Sequence, residues 1–246
     1  MECQSTQTKA WQRLLPALLI LTLACGDDVE SMGMDAGPEQ PDAQTLEFPR
    51  VPGYCTASVD GLGPIAVETD YLAHVVSCEN GLASFEALKA QAVSARSYLY
   101  YKLDVDGSIG DGQGDQVYTC GNPPTSEHLR AVAETEGQVL TYMGTQVAAF
   151  YVAGALQDAP TCRGGTADAT NTERYVTYNE GRSGDQLIQT SLGFVDPGNH
   201  ANRGCMSQNG SDCLSDEGWT YLEIIPFYYG EDIVVSKGMG DCISED

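Results

Sequence analysis

The sequence predicts an α+β domain, with helices and β-hairpins mixed in one disulfide-stapled unit. Three observations carry this. Ser84 to Leu103 places apolar residues on one stripe at helical spacing, two short β-rich runs flank the Met143-Gly144 turn, and strands and helices do not alternate at βαβ spacing. A hydrophobic share of 42% over 246 residues supports a genuine core and about one domain.

Residues 1–24 read as a lipoprotein signal peptide: Lys9 and Arg13 form a positive flank, and Leu14 to Ala24 is an apolar run. That run is too short to span a bilayer. It ends in Leu21-Thr22-Leu23-Ala24-Cys25, close to a lipobox apart from Thr22, so Cys25 is the expected lipidation site and its acyl chains the expected membrane anchor. Residues 25–45 turn to Asp, Glu, Gly, Pro and Met, which predicts an acidic flexible tether, with the domain occupying 46–246.

Within the domain, Ser84 is the expected cap of the first helix and Glu86 suits its first turn. Leu88, Ala92, Ala95 and Leu99 make the stripe, and Ala90, Ser94 and Ser97 permit close packing beside it. Asp104 to Gly114 reads as a turn-rich loop; it lacks the carboxylate spacing of an EF-hand. Ser126 to Glu136 predicts a second helix stopped by Gly137, and QVLTY with TQVAAFYV predicts a hairpin about Met143-Gly144. Ala167 to Phe194 carries no clear period. Thr220 and Glu223 form a capping box for a short helix that Pro226 should shorten or kink, and Glu231 to Lys237 reads as a last strand.

The charge excludes some functions. With 35 Asp and Glu against 12 Lys and Arg, the net charge is −23, so a nucleic-acid face is not expected, nor a peripheral grip on anionic lipid. An exported chain favours disulfides. Cys3 leaves with the leader and Cys25 takes lipid; the seven remaining cysteines allow at most three bridges and one leftover thiol, with Cys205 and Cys213 the favoured pair. Metal is not expected, because zinc spacing such as CxxC is missing and the chain has three histidines, His74, His128 and His200. His74 and His128 read as ordinary helix or surface residues. No serine-hydrolase triad can be proposed.

Three separated stretches then share one pattern. They are YLAHVVSCENGLASFEALKAQAVSARSYLYY (71–101), DQVYTCG through GQVLTYMGTQVAAFY (115–151) and CMSQNGSDCLSDEGWTYLEIIPFYYGEDI (205–233). In order and spacing they resemble the SpoIID/LytB domain, a bacterial sporulation and cell-wall family that includes lytic transglycosylases and an amidase enhancer. The resemblance implies that Glu79 is the catalytic acid. It also implies that Ser207 and Gln208 line the sugar groove, with helix capping as the alternative. Arg96 is a substrate-binding candidate whose alternative is a structural hydrogen-bond role. Tyr98, Tyr100, Tyr101, Tyr228 and Tyr229 are sugar-stacking candidates, or core.

The reaction so implied is cleavage of peptidoglycan glycan strands to 1,6-anhydroMurNAc ends, without a cofactor, by an envelope lipoprotein outside the cytoplasm. Alternatives are a non-catalytic peptidoglycan-binding module or activator of a cell-wall amidase on the same fold, and an envelope adhesion lipoprotein. Glu79 follows apolar Val75-Val76, so partial burial is expected to raise its pKa and keep it protonated. The chain departs from the family pattern at Val152 to Leu156, where a His-Ser-x-x-Gly-Gly segment is usual. Before Met206 it has Asn202-Arg203-Gly204-Cys205 in place of Gly-His-Gly-Val-Gly. Cys78 stands where a small residue is usual, and if bonded it would fix the active loop.

Overall fold

A computed structural model describes residues 48–244, all within the compact unit Leu46–Asp246. The leader, Cys25 and the tether lie outside the described residues. The first strands are β1 (Arg50–Pro52), β2 (Thr56–Val59) and β3 (Gly63–Ala66), followed by a single π-helical turn, Val67–Tyr71. Helices α1 (Leu72–Asn80), α2 (Phe85–Asp106) and α3 (Ser126–Glu134) come next, then β4 (Gln138–Tyr142), β5 (Thr145–Gln146) and β6 (Phe150–Val152). After a long irregular segment come β7 (Cys205–Ser207), α4 (Gln208–Asp216), α5 (Tyr221–Tyr229) and β8 (Val234–Met239). The α+β class holds.

Helix α2 is the centre of the domain. It packs against α1, α3, α4, α5 and β4, so its burial extends well beyond one stripe. Ala87, Ala90, Ala92, Ala95, Ser94 and Ser97 are all buried and small, which lets those neighbours approach from several sides. The Ser97 hydroxyl bonds the Val93 carbonyl and accepts from the Leu140 amide at 2.8 Å, fixing β4 on the helix. The helix runs past Leu103 and stops at Gly107 in the left-handed conformation (φ 76°). Ser84 sits at the expected cap position, but its hydroxyl bonds Asp216 and its amide bonds Asp212 of α4, so no side-chain cap forms.

Four strands form a sheet in the order β1-β8-β4-β5, with β1 parallel to β8 and the other pairs antiparallel. The expected hairpin turns at Met143 (φ 49°) and Gly144 (φ 77°) but is shorter than the sequence predicts. Val147, Ala148 and Ala149 are fully buried and offer no alternating face, so the chain dives inward and β6 pairs parallel with β7. The expected capping box at Thr220 and Glu223 opens α5, which continues only three residues past Pro226.

Among the described residues three disulfides join Cys55–Cys242, Cys78–Cys120 and Cys162–Cys213, leaving Cys205 free and buried. The expected Cys205–Cys213 pair is therefore corrected. Cys205 lies in β7, which runs straight into α4; strand and helix carry Cys213 away, and it meets Cys162 of the irregular segment instead.

That segment, hard to read from sequence, is ordered by side chains bonding backbone. Asn179 reaches the Tyr228 carbonyl (2.8 Å) and the Ile188 amide (2.8 Å), and Asn202 bonds both the amide and carbonyl of Thr190. Asp111 and Asp115 likewise hold amides of Tyr118, Thr119 and Gly110, so the acidic loop is a hydrogen-bonded turn. Among the described residues no group of three or more His, Cys, Asp or Glu is placed to hold a metal.

Candidate active site

Glu79 is the penultimate residue of α1, a helix buried along Leu72, Ala73, Val75 and Val76. Its Oε1 accepts the Val117 amide at 2.7 Å, and Gln208 lies against the same carboxyl. Burial pushes the carboxyl pKa up, while those two donors pull it partly down; the net direction is upward. The negative end of α1 acts in the same upward direction. An acid so held favours its protonated form.

Glu79 is among the residues that line a cleft of about 570 Å³. One wall is Glu79, Asn80 and fully exposed Leu82; the other is Asn122, Pro123 and His128. Glu79 is the one carboxylate among the residues lining it, an unusual stretch in so acidic a chain. His128 is locked by both ring nitrogens: Nδ1 accepts the Thr125 amide (3.0 Å) and Nε2 donates to the Gly81 carbonyl (2.9 Å). That pattern fixes the neutral Nε2–H tautomer and ties α3 to the end of α1.

The Cys78–Cys120 disulfide clamps the residue before Glu79 to the loop that supplies Val117 and Asn122. Its bonded state meets the condition on which the sequence made it a fixing element for the active loop. Beyond the loop, a second depression of about 330 Å³ exposes His74 and Tyr118, and the Tyr118 ring stacks on Tyr71 at 5.5 Å.

Two residues expected to bind substrate do not reach the cleft. Arg96 is fully buried in a bidentate ion pair with Glu68 (2.6 and 2.7 Å) and donates to the Gln138 carbonyl at 3.1 Å. Its role is to join the π-helical turn, α2 and β4. Ser207 is fully buried and caps α4, accepting the Gly210 amide (3.0 Å) and donating to the Ala153 carbonyl (3.2 Å). Gln208 alone of the three sits at the Glu79 carboxyl. Of the tyrosines, Tyr100, Tyr228 and Tyr229 are core.

Val152 to Leu156 does not plug this cleft. The Ala153 carbonyl accepts the Asn209 amide, and the Ala155 amide bonds Glu173 at 2.7 Å. Gly154 (φ 70°) passes so near β7 that a Cβ there would meet Ser207 Oγ at 2.2 Å. Sequence reading missed Val117, Asn122 and His128. Val117 lay inside the quoted QVY motif, but a backbone amide carries no side-chain signature.

Fold and cleft together define an α+β domain built around one half-buried carboxylic acid. The family described as SpoIID, Stage II sporulation protein, matches residues 64–142. That segment holds Glu79, Val117, Asn122 and His128, and over it the chain is similar to this family. No curated protein matches the chain.

Proposed function

We propose that the protein is a lytic transglycosylase acting on peptidoglycan glycan strands, held at the cell envelope by lipid on Cys25. The observation that carries the reading is the Glu79 carboxyl, its pKa raised by burial, beside a cleft whose lining among the described residues includes no second carboxylate. Protonated Glu79 donates to the oxygen between MurNAc and GlcNAc as the C1–O bond breaks through an oxocarbenium-like state. The resulting carboxylate takes the proton of the MurNAc C6 hydroxyl, whose oxygen attacks C1 and closes the 1,6-anhydro ring. A hydrolase working through two carboxylates would need a partner acid; here the substrate supplies its own nucleophile. The net charge of −23 does not extend to this lining, where Asn80, Asn122 and Thr125 carry uncharged polar side chains beside Glu79.

The second reading, a peptidoglycan-binding module or amidase activator, is favoured by the Val152 to Leu156 segment. Its backbone is committed to Asn209 and Glu173, and it offers Glu79 none of the family's imidazole or hydroxyl groups. Purified sacculi separate the two. Release of anhydro-muropeptides by wild type and its loss in Glu79→Gln supports the enzyme; no release by either, with both still pelleting with sacculi, supports the binding module.

A further inference from the structure

Two depressions meet at Asn122 and Pro123, which line both. One is the cleft beside Glu79; the other, of about 330 Å³, is lined by His74, Tyr118 and the loop that follows. Their walls are joined covalently, since Cys78 lines the first, Cys120 lines the second and the two are bonded. His74 precedes Glu79 by five residues on α1, about 7.5 Å along the helix axis, so a ligand touching both must extend along the helix. The second depression is held rigidly. Asp70 Oδ1 accepts the Tyr118 hydroxyl at 3.0 Å and meets His74 Nδ1 at 2.9 Å. The Tyr118 ring lies parallel to fully buried Tyr71 at 5.5 Å, with the imidazole leaning on it at 5.1 Å. Asp111 fixes the Tyr118 amide at 2.8 Å. His74 Nδ1 faces two acceptors, Asp70 Oδ1 and the Asp70 carbonyl (3.1 Å), so it carries the proton and leaves Nε2 an acceptor in the neutral ring.

We propose that the His74–Tyr118 depression is a second sugar subsite continuous with the Glu79 cleft, so that the substrate is a glycan strand longer than the disaccharide at the scissile bond. This rests on the transglycosylase reading and adds to it the course of the strand. A pyranose presents an apolar C–H face and a rim of hydroxyls. Tyr118, its own hydroxyl committed to Asp70, offers the face an aromatic platform. His74 Nε2 accepts a proton from a hydroxyl at the rim. Asn122, shared by both depressions, stands where one sugar gives way to the next. Because Asp70, Asp111 and Tyr71 already hold these side chains, a sugar arriving there orders little that was loose. His74 and Tyr118 thus govern how tightly a long strand is held, and Glu79 what is done to it.

The test titrates the GlcNAc–MurNAc disaccharide and the octasaccharide of four such units into Glu79→Gln, used so that the strand is not cleaved. The octasaccharide is expected to bind about tenfold tighter than the disaccharide. Adding His74→Ala or Tyr118→Leu is expected to remove most of that gain while leaving disaccharide affinity in place, which a damaged fold would not do. The His74 ring signals in proton NMR, assigned by their loss in His74→Ala, are expected to shift with the octasaccharide and not with the disaccharide. His74 signals that the octasaccharide leaves unmoved, or that the disaccharide moves equally, overturn the proposal. A gain with length that survives in both variants overturns it too. If wild type releases no anhydro product from sacculi while the length-dependent gain and the His74 shift persist, the transglycosylase reading falls and the subsite stands as part of a binding module.

Discussion

Replacing Cys78 and Cys120 by alanine separates what the disulfide does for the fold from what it does for Glu79. The two cysteines are 42 residues apart, and freeing a loop of that length returns unfolded-state entropy worth about 4 kcal/mol at 25 °C on the chain-entropy scale. Cys162 and Cys213 are 51 residues apart, which works out to about the same 4 kcal/mol. The second pair is thus a control of matched cost. Only the first bridge adjoins Glu79 and anchors the loop whose Val117 amide bonds its carboxyl at 2.7 Å. Both double variants are expected to lose about 4 kcal/mol in urea unfolding. In Cys78→Ala/Cys120→Ala the loosened loop weakens a donor that favours the ionised acid, so Glu79 should titrate at higher pH and release of anhydro product should fall further than in the control. Equal effects on Glu79 in both variants, or an unmoved titration in the first, would refute the reasoning.

Two further outcomes follow from the buried charges. Glu79 has a folded-state pKa above its unfolded value, so its contribution to stability is fully present below the unfolded value, about 4.3, and is lost as pH rises through the folded one. Glu79→Gln is therefore expected to be more stable than wild type at pH 7 and to lose that advantage in acid; thermal midpoints across pH measure the gap, and a gap that ignores pH counts against a buried acid. Arg96→Met leaves Glu68 buried without its partner and should cost about 3–5 kcal/mol in urea unfolding, most of it recovered in Glu68→Gln/Arg96→Met. Loss of sacculus binding by that double variant with its stability restored would return Arg96 to a substrate role.

What the sequence made legible depended on range. The period of α2, the Thr220–Glu223 box and the Met143-Gly144 turn are local, and each appears where its residues indicate. Pairings decided across the chain were hidden. Cys213 finds Cys162 because β7 and α4 separate it from Cys205, and β6 leaves the hairpin because Val147 to Ala149 need burial on every side. Ser84 reads as a cap, yet two aspartates from α4 claim it. The site followed the same division. A resemblance located Glu79, but Arg96 could be assigned only once Glu68, 28 residues earlier, was seen facing it. Val117 acts through its backbone, which no side-chain pattern announces.

The Cys55–Cys242 bond ties a point just after the first strand to one just beyond the last, 187 residues apart. A protease that nicks the peptide after Arg163 leaves two pieces still fastened, by this bond and by Cys162–Cys213. Trypsin-treated protein should then migrate as one species on an unreduced gel and as two once dithiothreitol is added. In an enzyme-rich surrounding outside the cytoplasm, such a molecule would survive cuts that dismember an unbridged chain.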